Sequence, residues 1–311
     1  MLGNEVLLQA QNLRIVYKNS TIIDDINFYV DKGEIFSIVG ESGSGKTLTG
    51  LSIINLLPDY FSIDGKLIFK GENILNFSLS QIQKIRGKHI SYIFQDPMVS
   101  LNPVIKVGYQ VAEMFIYHYK LPKKEAMEKT NKIFNELKIA HIINNYPHQL
   151  SGGMRQRVMI AMAIACEPEL IIADEPTTAL DVTVQEEILD LLYYLVKEKG
   201  RAMILITHDM NILGEYADRV MVMYAGRIME MGHVEEIFKH PLHPYTKALL
   251  DCLPAEGKKI EGIPGHVPNI KNLPHGCVFY PRCKYKSKEC SLEPPCLREV
   301  SPGHLIRCFL H

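Results

Sequence analysis

Ile35-Phe36-Ser37-Ile38-Val39-Gly40-Glu41-Ser42-Gly43-Ser44-Gly45-Lys46-Thr47 reads IFSIVGESGSGKT, and the interpretation of this stretch decides the fold. A largely apolar strand enters a glycine-rich loop, and the loop enters a helical segment that reaches Ile53. Gly40, Gly45, Lys46 and Thr47 match the spacing G-x-x-x-x-G-K-[ST], with Gly43 as a further glycine. Glycines let the backbone bend so that successive N–H groups point inward at phosphate oxygens, and the helix N-terminus adds donors and a favourable dipole. Lys46 can then reach the β- and γ-phosphates, and the Thr47 hydroxyl can join Mg2+. With a strand before and a helix after, the stretch reads as a nucleotide site rather than a flexible turn with a surface lysine. Gly40, Ser42, Gly43, Ser44, Gly45, Lys46 and Thr47 form the candidate nucleotide-binding loop.

Upstream, residues 7–17 and 22–30 alternate with β-branched enrichment and read as strands separated by a polar turn. Tyr17 ends the first, placed either to stack on a base or to serve as a half-buried strand aromatic. Downstream, residues 65–69 and 90–94 are further strands, and the second runs straight into Gln95. Residues 104–137 turn helical and charge-rich, as an inserted helical subdomain whose lysines form a solvated face. Leu150 then opens LSGGMRQR, in which Ser151, ahead of Gly152 and Gly153 and a long helix, is a plausible N-cap with an anion site behind it.

The strand at 170–173 ends in Asp174-Glu175-Pro176. Ile188, Leu191, Leu192, Leu195 and Val196 then mark an amphipathic helix closed by Gly200. The strand at 203–207 delivers His208, and strands at 219–224 and 227–231 turn at Gly226. The phosphate loop, Asp174 with Glu175, and His208 thus all sit at C-terminal ends of apolar strands that alternate with helices. Open parallel α/β sheets bind their ligands at that edge.

The 311 residues, 47% hydrophobic and 22% charged, allow one large domain or two smaller ones. No apolar run is long enough to span a bilayer, and the first residues lack the basic-then-apolar pattern of a secretory signal. A net charge of -1 gives no bulk electrostatic reason to expect nucleic acid. After Cys252 come Cys277, Cys283, Cys290, Cys296 and Cys308, in a stretch where prolines break up any long helix. In a chain expected to be cytosolic, such a cluster suggests metal before disulfides. Cys166 and Cys252 read as small core residues.

The phosphate loop, Gln95 after a strand, LSGG at Leu150, LIIADEPTTALD from Leu170 to Asp181, and strand-terminal His208 come in the order found in ABC-type ATPases, and the chain resembles that family. The resemblance implies an α/β phosphate-loop nucleotide-binding domain over residues 1–255, with a mixed sheet core, an antiparallel β subdomain and a helical subdomain at about 97–168. A small Cys/Pro-rich C-terminal extension over 256–311 follows. It implies ATP and Mg2+ as cofactors, Thr47, Gln95 and Asp174 as Mg2+ ligands, Glu175 as the general base for the attacking water, and His208 as the switch residue contacting the γ-phosphate. Gln95 matches the glutamine that contacts Mg2+ and the water and senses the membrane partner. Ser151, Gly152 and Gly153 would act in trans on ATP held by a second cassette, and Asp181 would couple the two sites across that interface.

HPYTKALL from His243 to Leu250, with the Pro-rich, Cys-bearing tail, resembles the ATPase subunits of dipeptide and oligopeptide ABC importers, whose relatives move nickel and other small solutes. That implies a second, homologous ATPase chain in a heterodimer, two transmembrane permease subunits, an extracytoplasmic solute-binding protein, and a peripheral place on the cytoplasmic face of the cell membrane, with no nucleic acid. The alternative is a soluble ABC ATPase of DNA repair or translation, and a nucleotide-binding regulator without turnover is a third reading. The spacing of Cys277, Cys283, Cys290 and Cys308 lacks short C-x₂₋₄-C pairs and leaves an iron–sulfur cluster, Zn and metal-free thiols all open. Some of the resembled subunits carry a [4Fe–4S] centre here, and Cys296 is a fifth candidate ligand.

Overall fold

Strands β1 (Val6–Tyr17) and β2 (Ser20–Asp31) open the chain as an antiparallel hairpin that turns at Lys18, where φ is +54°. The computed structural model describes residues 5–178, 180–253, 262–269 and 272–311. Its chain divides into two units: the described residues up to Asn76 with those from Leu205 onward, and Phe77–Ile204.

The first unit begins with β1 and β2, then β3 (Ile35–Val39), α1 (Lys46–Ile53), β4 (Phe61–Phe69) and β5 (Glu72–Asn73). Leu8, Ala10, Leu13 and Ile15 of β1 are buried, and the antiparallel order is β2-β1-β4-β5. The strand expected at 65–69 starts earlier, at Phe61, because Gly65 is not its beginning but a close approach to β1. A Cβ there would lie 2.5 Å from the Asn12 carbonyl oxygen.

In the second unit, α2 (Leu79–Ile85), β6 (Ile90–Ile93), α3 (Pro97–Ser100), α4 (Val107–Tyr119), α5 (Lys123–Glu136), α6 (Gly152–Ile164), β7 (Leu170–Asp174) and α7 (Val182–Lys197) follow in order. β6 and β7 pair in parallel from Ile90↔Leu170 to Ile93↔Ala173. The helical insertion is two helices, divided where Lys120 takes a left-handed φ of +57° ahead of Pro122. α5 buries only Ala126, Thr130 and Phe134, a stripe at i, i+4 and i+8, and its lysines stay outside that stripe. β8 (Ala202–Thr207) carries the chain across the division.

Back in the first unit come α8 (Leu213–Tyr216), β9 (Arg219–Tyr224), β10 (Arg227–His233), α9 (Val234–Lys239), α10 (Pro244–Asp251), α11 (Glu289–Leu292), β11 (Arg298–Ser301) and β12 (His304–Ile306). Here the strand order is β11-β12-β10-β9-β3, parallel only between β9 and β3. β3 and β9 are buried along their whole length, as strands covered on both faces must be. The tail is built of short pieces, as its prolines dictate, yet β12 pairs with β10 through Glu230↔Ile306 and Met231↔Leu305. That pairing has no sequence signal, because three residues are too few to show a period. The domain boundary expected near Ala255 lies outside the described residues.

Candidate nucleotide and thiol sites

The phosphate loop is gripped by the rest of its unit. β3 delivers Gly40, whose Cβ, if present, would stand 2.1 Å from the Met223 carbonyl oxygen of β9. At Gly45, where φ is +102°, a Cβ would stand 2.2 Å from Ile23 Cδ1 of β2. Backbone blocks a side chain at Gly40, and at Gly45 the left-handed φ disfavours one and Ile23 would have to shift, so the glycines allow the loop to pack onto two strands at once. The Gly226 N–H, in the β9–β10 turn, donates to the Ser44 carbonyl at 3.0 Å. Lys46 is buried, and its Nζ donates to the carbonyls of Gly40 (2.7 Å) and Glu41 (3.1 Å), which folds it back over the loop. Ser44 is fully buried, and its Oγ has no hydrogen-bond partner among the described residues. A buried hydroxyl without a partner inside a loop of this spacing suits an anionic oxygen. Ser42, Gly43 and Thr47 are exposed on the same loop.

Tyr17, half-buried at the end of β1, meets Tyr60 edge-on at 5.5 Å and Phe61 at 5.3 Å. The strand-aromatic environment is therefore real, and the residue remains partly exposed. His208 is exposed just past β8, in a turn where the Asp209 N–H donates to Thr207 Oγ1 at 3.0 Å.

In the second unit, the parallel strands β6 and β7 bring Gln95, Asp174 and Glu175 together. Asp174 is buried, and its Oδ2 accepts from the Tyr92 hydroxyl at 2.8 Å. Burial, and then the Asp174 charge, push the Tyr92 phenol well above its ordinary range, so it stays a donor. Glu175 adopts a φ of +45°, unusual for a residue with a side chain and costly unless its surroundings enforce it. Its Oε2 accepts from Gln95 Nε2 at 2.8 Å and from Thr178 Oγ1 at 3.0 Å. Two donors on one oxygen fix the direction of the carboxylate.

LSGG forms the start of α6. Ser151 is the N-cap, with Oγ accepting from the Met154 N–H at 3.3 Å, and Asp181 caps α7 by accepting from the Val184 N–H at 3.0 Å. A Cβ on Gly153 would lie 2.6 Å from Val184 Cγ1, and one on Gly152 would lie 3.2 Å from Leu180 Cδ2. The two glycines thus let the capped starts of α6 and α7 approach each other.

Cys277, Cys283, Cys290 and Cys308 line one narrow cavity of the first unit, with His243, Phe279 and Pro295. Cys296 is exposed and does not line it. Burial, and then the neighbouring thiols, push Cys277 up to about 11, and Cys283 and Cys308 are raised as well. Among the described residues, no group of three or more His, Cys, Asp or Glu is arranged to hold a metal ion. Cys166 is buried, as expected of a core residue, whereas Cys252 is only partly buried.

Four residues that shape these sites escaped the sequence reading as site residues: Tyr92, Thr178, Tyr245 and Arg282. Tyr245 Oη accepts from the Glu41 N–H at 2.9 Å, and Arg282 pairs with the Glu41 carboxylate at 2.6 Å. HPYTKALL was distinctive enough to carry a family resemblance, but nothing in it indicated a contact with the phosphate loop.

Comparison with known proteins agrees with this geometry. Residues 23–178 match the ABC transporter family model, and residues 229–290 match that of the oligopeptide/dipeptide transporter C-terminal region. The oligopeptide transport ATP-binding protein OppD of Escherichia coli is 45% identical over 315 residues, 98% of this chain and 93% of its own. AppD of Bacillus subtilis, also an oligopeptide transport ATP-binding protein, is 43% identical over 317 residues, 98% and 97% of the two chains. Among solved structures, cbiO1 of Clostridium perfringens, part of an ABC transporter complex, superposes with a TM-score of 0.67 at 31% identity, covering 76% of this chain and 92% of its own. An ATP-binding cassette dimer in a post-hydrolysis state, bound to ADP and Pi, gives 0.66 at 27% identity, covering 73% and 99%.

Proposed function

Because the chain belongs to the ABC transporter family and carries the C-terminal region of its oligopeptide/dipeptide branch, we propose that it is the ATP-hydrolysing subunit powering import of oligopeptides or dipeptides. The observation that carries the hydrolytic half is Glu175, its carboxylate held by Gln95 and Thr178 beside buried Asp174. Glu175 accepts the proton of the attacking water, and Gln95 orients both. Lys46 and the N–H groups of residues 43–47 hold the β- and γ-phosphates, with Ser42 and Gly40 shaping the loop and Tyr17 supporting the base. Thr47, Gln95 and Asp174 are assigned to Mg2+, which when bound neutralises charge on the phosphates. His208 reads the γ-phosphate. Ser151, Gly152 and Gly153, with Asp181, act on the ATP of a second, similar cassette.

Partners follow from the same reading. α3 and the loop after it leave Met98, Val99 and Val104 largely exposed, close in sequence to Gln95. An apolar surface adjoining a catalytic glutamine suits a permease segment whose movement is to be sensed. We assign the chain to the cytoplasmic membrane face, beneath two permease subunits and beside a homologous ATPase. Among the described residues, no helix is long and apolar enough to cross a membrane. We place the nucleotide-binding domain over 1–255 and the extension over 256–311. A DNA-repair or translation ATPase is not favoured, since relatives over 98% of the chain are transport proteins. In membranes reconstituted with permease and binding protein, peptide should stimulate ATP hydrolysis; hydrolysis indifferent to peptide would contradict the transport reading.

The thiol cavity is the place for a [4Fe–4S] cluster. Four thiols line the cavity, and their sequence spacing lacks the short C-x₂₋₄-C pairs usual in structural Zn sites, which favours a multi-iron centre over Zn. Burial raises the titration of Cys277, Cys283 and Cys308, and a cationic partner would favour their ionised form. Anaerobically purified protein should contain iron and acid-labile sulfide in equal amounts, lost when the four cysteines are replaced by serine. Zinc alone, or no metal, would refute the cluster while leaving the ATPase reading intact.

A further inference from the structure

Glu41 places a carboxylate in the loop that is to wrap a triphosphate. An unpaired acid there would repel the incoming phosphates. It is not unpaired: Arg282, more than two hundred residues later, meets it with two parallel bonds, Nη1 to Oε2 at 2.6 Å and Nη2 to Oε1 at 3.1 Å. The Arg282 side chain is 3% exposed and that of Glu41 30%.

The remaining donors of Arg282 are committed too. Nε donates to the Pro264 carbonyl at 2.8 Å, Nη2 to the Ile263 carbonyl at 3.1 Å, and Nη1 to Tyr224 Oη at 3.3 Å. A guanidinium has five N–H donors, and here each has an acceptor. Its base is fixed by packed rings: Tyr224 lies 4.7 Å from Tyr245 and 5.3 Å from Phe279, and Tyr245 lies 5.3 Å from Phe279. Tyr245 Oη in turn takes the Glu41 N–H. Tail docking alone would not require a fully committed guanidinium aimed at the one acid of the phosphate loop.

We propose that Arg282 is a positioning residue of the nucleotide site, which neutralises Glu41 and turns its carboxylate away from the phosphates, so that the C-terminal tail is part of the ATP-binding apparatus. The proposal rests on the phosphate-loop reading above. It acts through charge: the cradle presents its N–H groups and Lys46 to ATP without a competing anion, because the tail holds that anion.

The test is the dissociation constant of MgATP for the full chain, by calorimetry, with melting temperature recorded for every variant. Arg282→Gln should weaken binding about tenfold. Removing the charge it leaves behind should restore it: the double variant Glu41→Gln/Arg282→Gln should bind within about threefold of wild type. Arg282→Lys, which keeps a cation beside Glu41, should also bind within about threefold and serves where Arg282→Gln does not fold. A double variant as weak as Arg282→Gln, equal losses for Lys and Gln, or unchanged binding by Arg282→Gln would each overturn the proposal. Failure of the wild-type chain to bind MgATP would overturn the nucleotide reading itself, a separate result.

Discussion

His304 shows how much one side chain can carry. Its Nε2 lies 2.8 Å from buried Glu230 and its Nδ1 3.2 Å from Glu236, so it ties the tail strand β12 to β10 and α9. The hydrogen bond to Glu230 raises the imidazole above its ordinary 6.5, against the opposing effect of burial. On Glu230, burial pushes upward, but hydrogen bonds from His304 and the N–H groups of Leu242 and His243 help outweigh it and hold the carboxyl low. A histidine whose folded-state value is raised contributes fully below 6.5, and the contribution is lost as pH rises through the folded value. Urea midpoints of wild type and His304→Gln should therefore differ most below 6.5 and converge at alkaline pH. A difference that stays constant or widens with pH would contradict the ion-pair account.

At the scale of elements, the phosphate loop, Asp174 and Glu175 were legible because an apolar strand and a turn or helix flank each, and local pattern suffices to place them. Ser151 was legible as an N-cap for the same reason. Contacts made by Tyr245 and Arg282 with Glu41 were not, since they span 204 and 241 residues and follow from packing rather than periodicity. The double glycine of LSGG falls between: its functional resemblance was visible, but its packing role needed Val184, a helix away. Gly153→Ala should lower stability by about 1–3 kcal/mol by forcing α6 from α7. Val184→Ala in the same chain should recover most of that loss, because it removes the methyl 2.6 Å from the new Cβ. Thermal unfolding of the three variants decides it, and a Gly153→Ala protein as stable as wild type would remove the packing argument.

For the whole molecule, the tail is more than an appendage to a nucleotide-binding unit. β12 extends the strand order of the first unit, Arg307 reaches Asp25 of the β2 strand at 2.9 Å, and Arg282 reaches the phosphate loop. These links gather the thiol cavity and the loop within one unit, though the chain composition shifts sharply between them. The second unit contributes Glu175, held by Gln95, and the capped starts of α6 and α7. The function proposed above requires that ATP hydrolysis, with Glu175 as the base, drive the cycle. The most direct measurement compares wild type and Glu175→Gln in the reconstituted transporter, recording MgATP binding, ATP turnover and peptide uptake together. The expected result is retained binding with turnover and uptake reduced by at least about a hundredfold; near-normal uptake by Glu175→Gln would contradict the account.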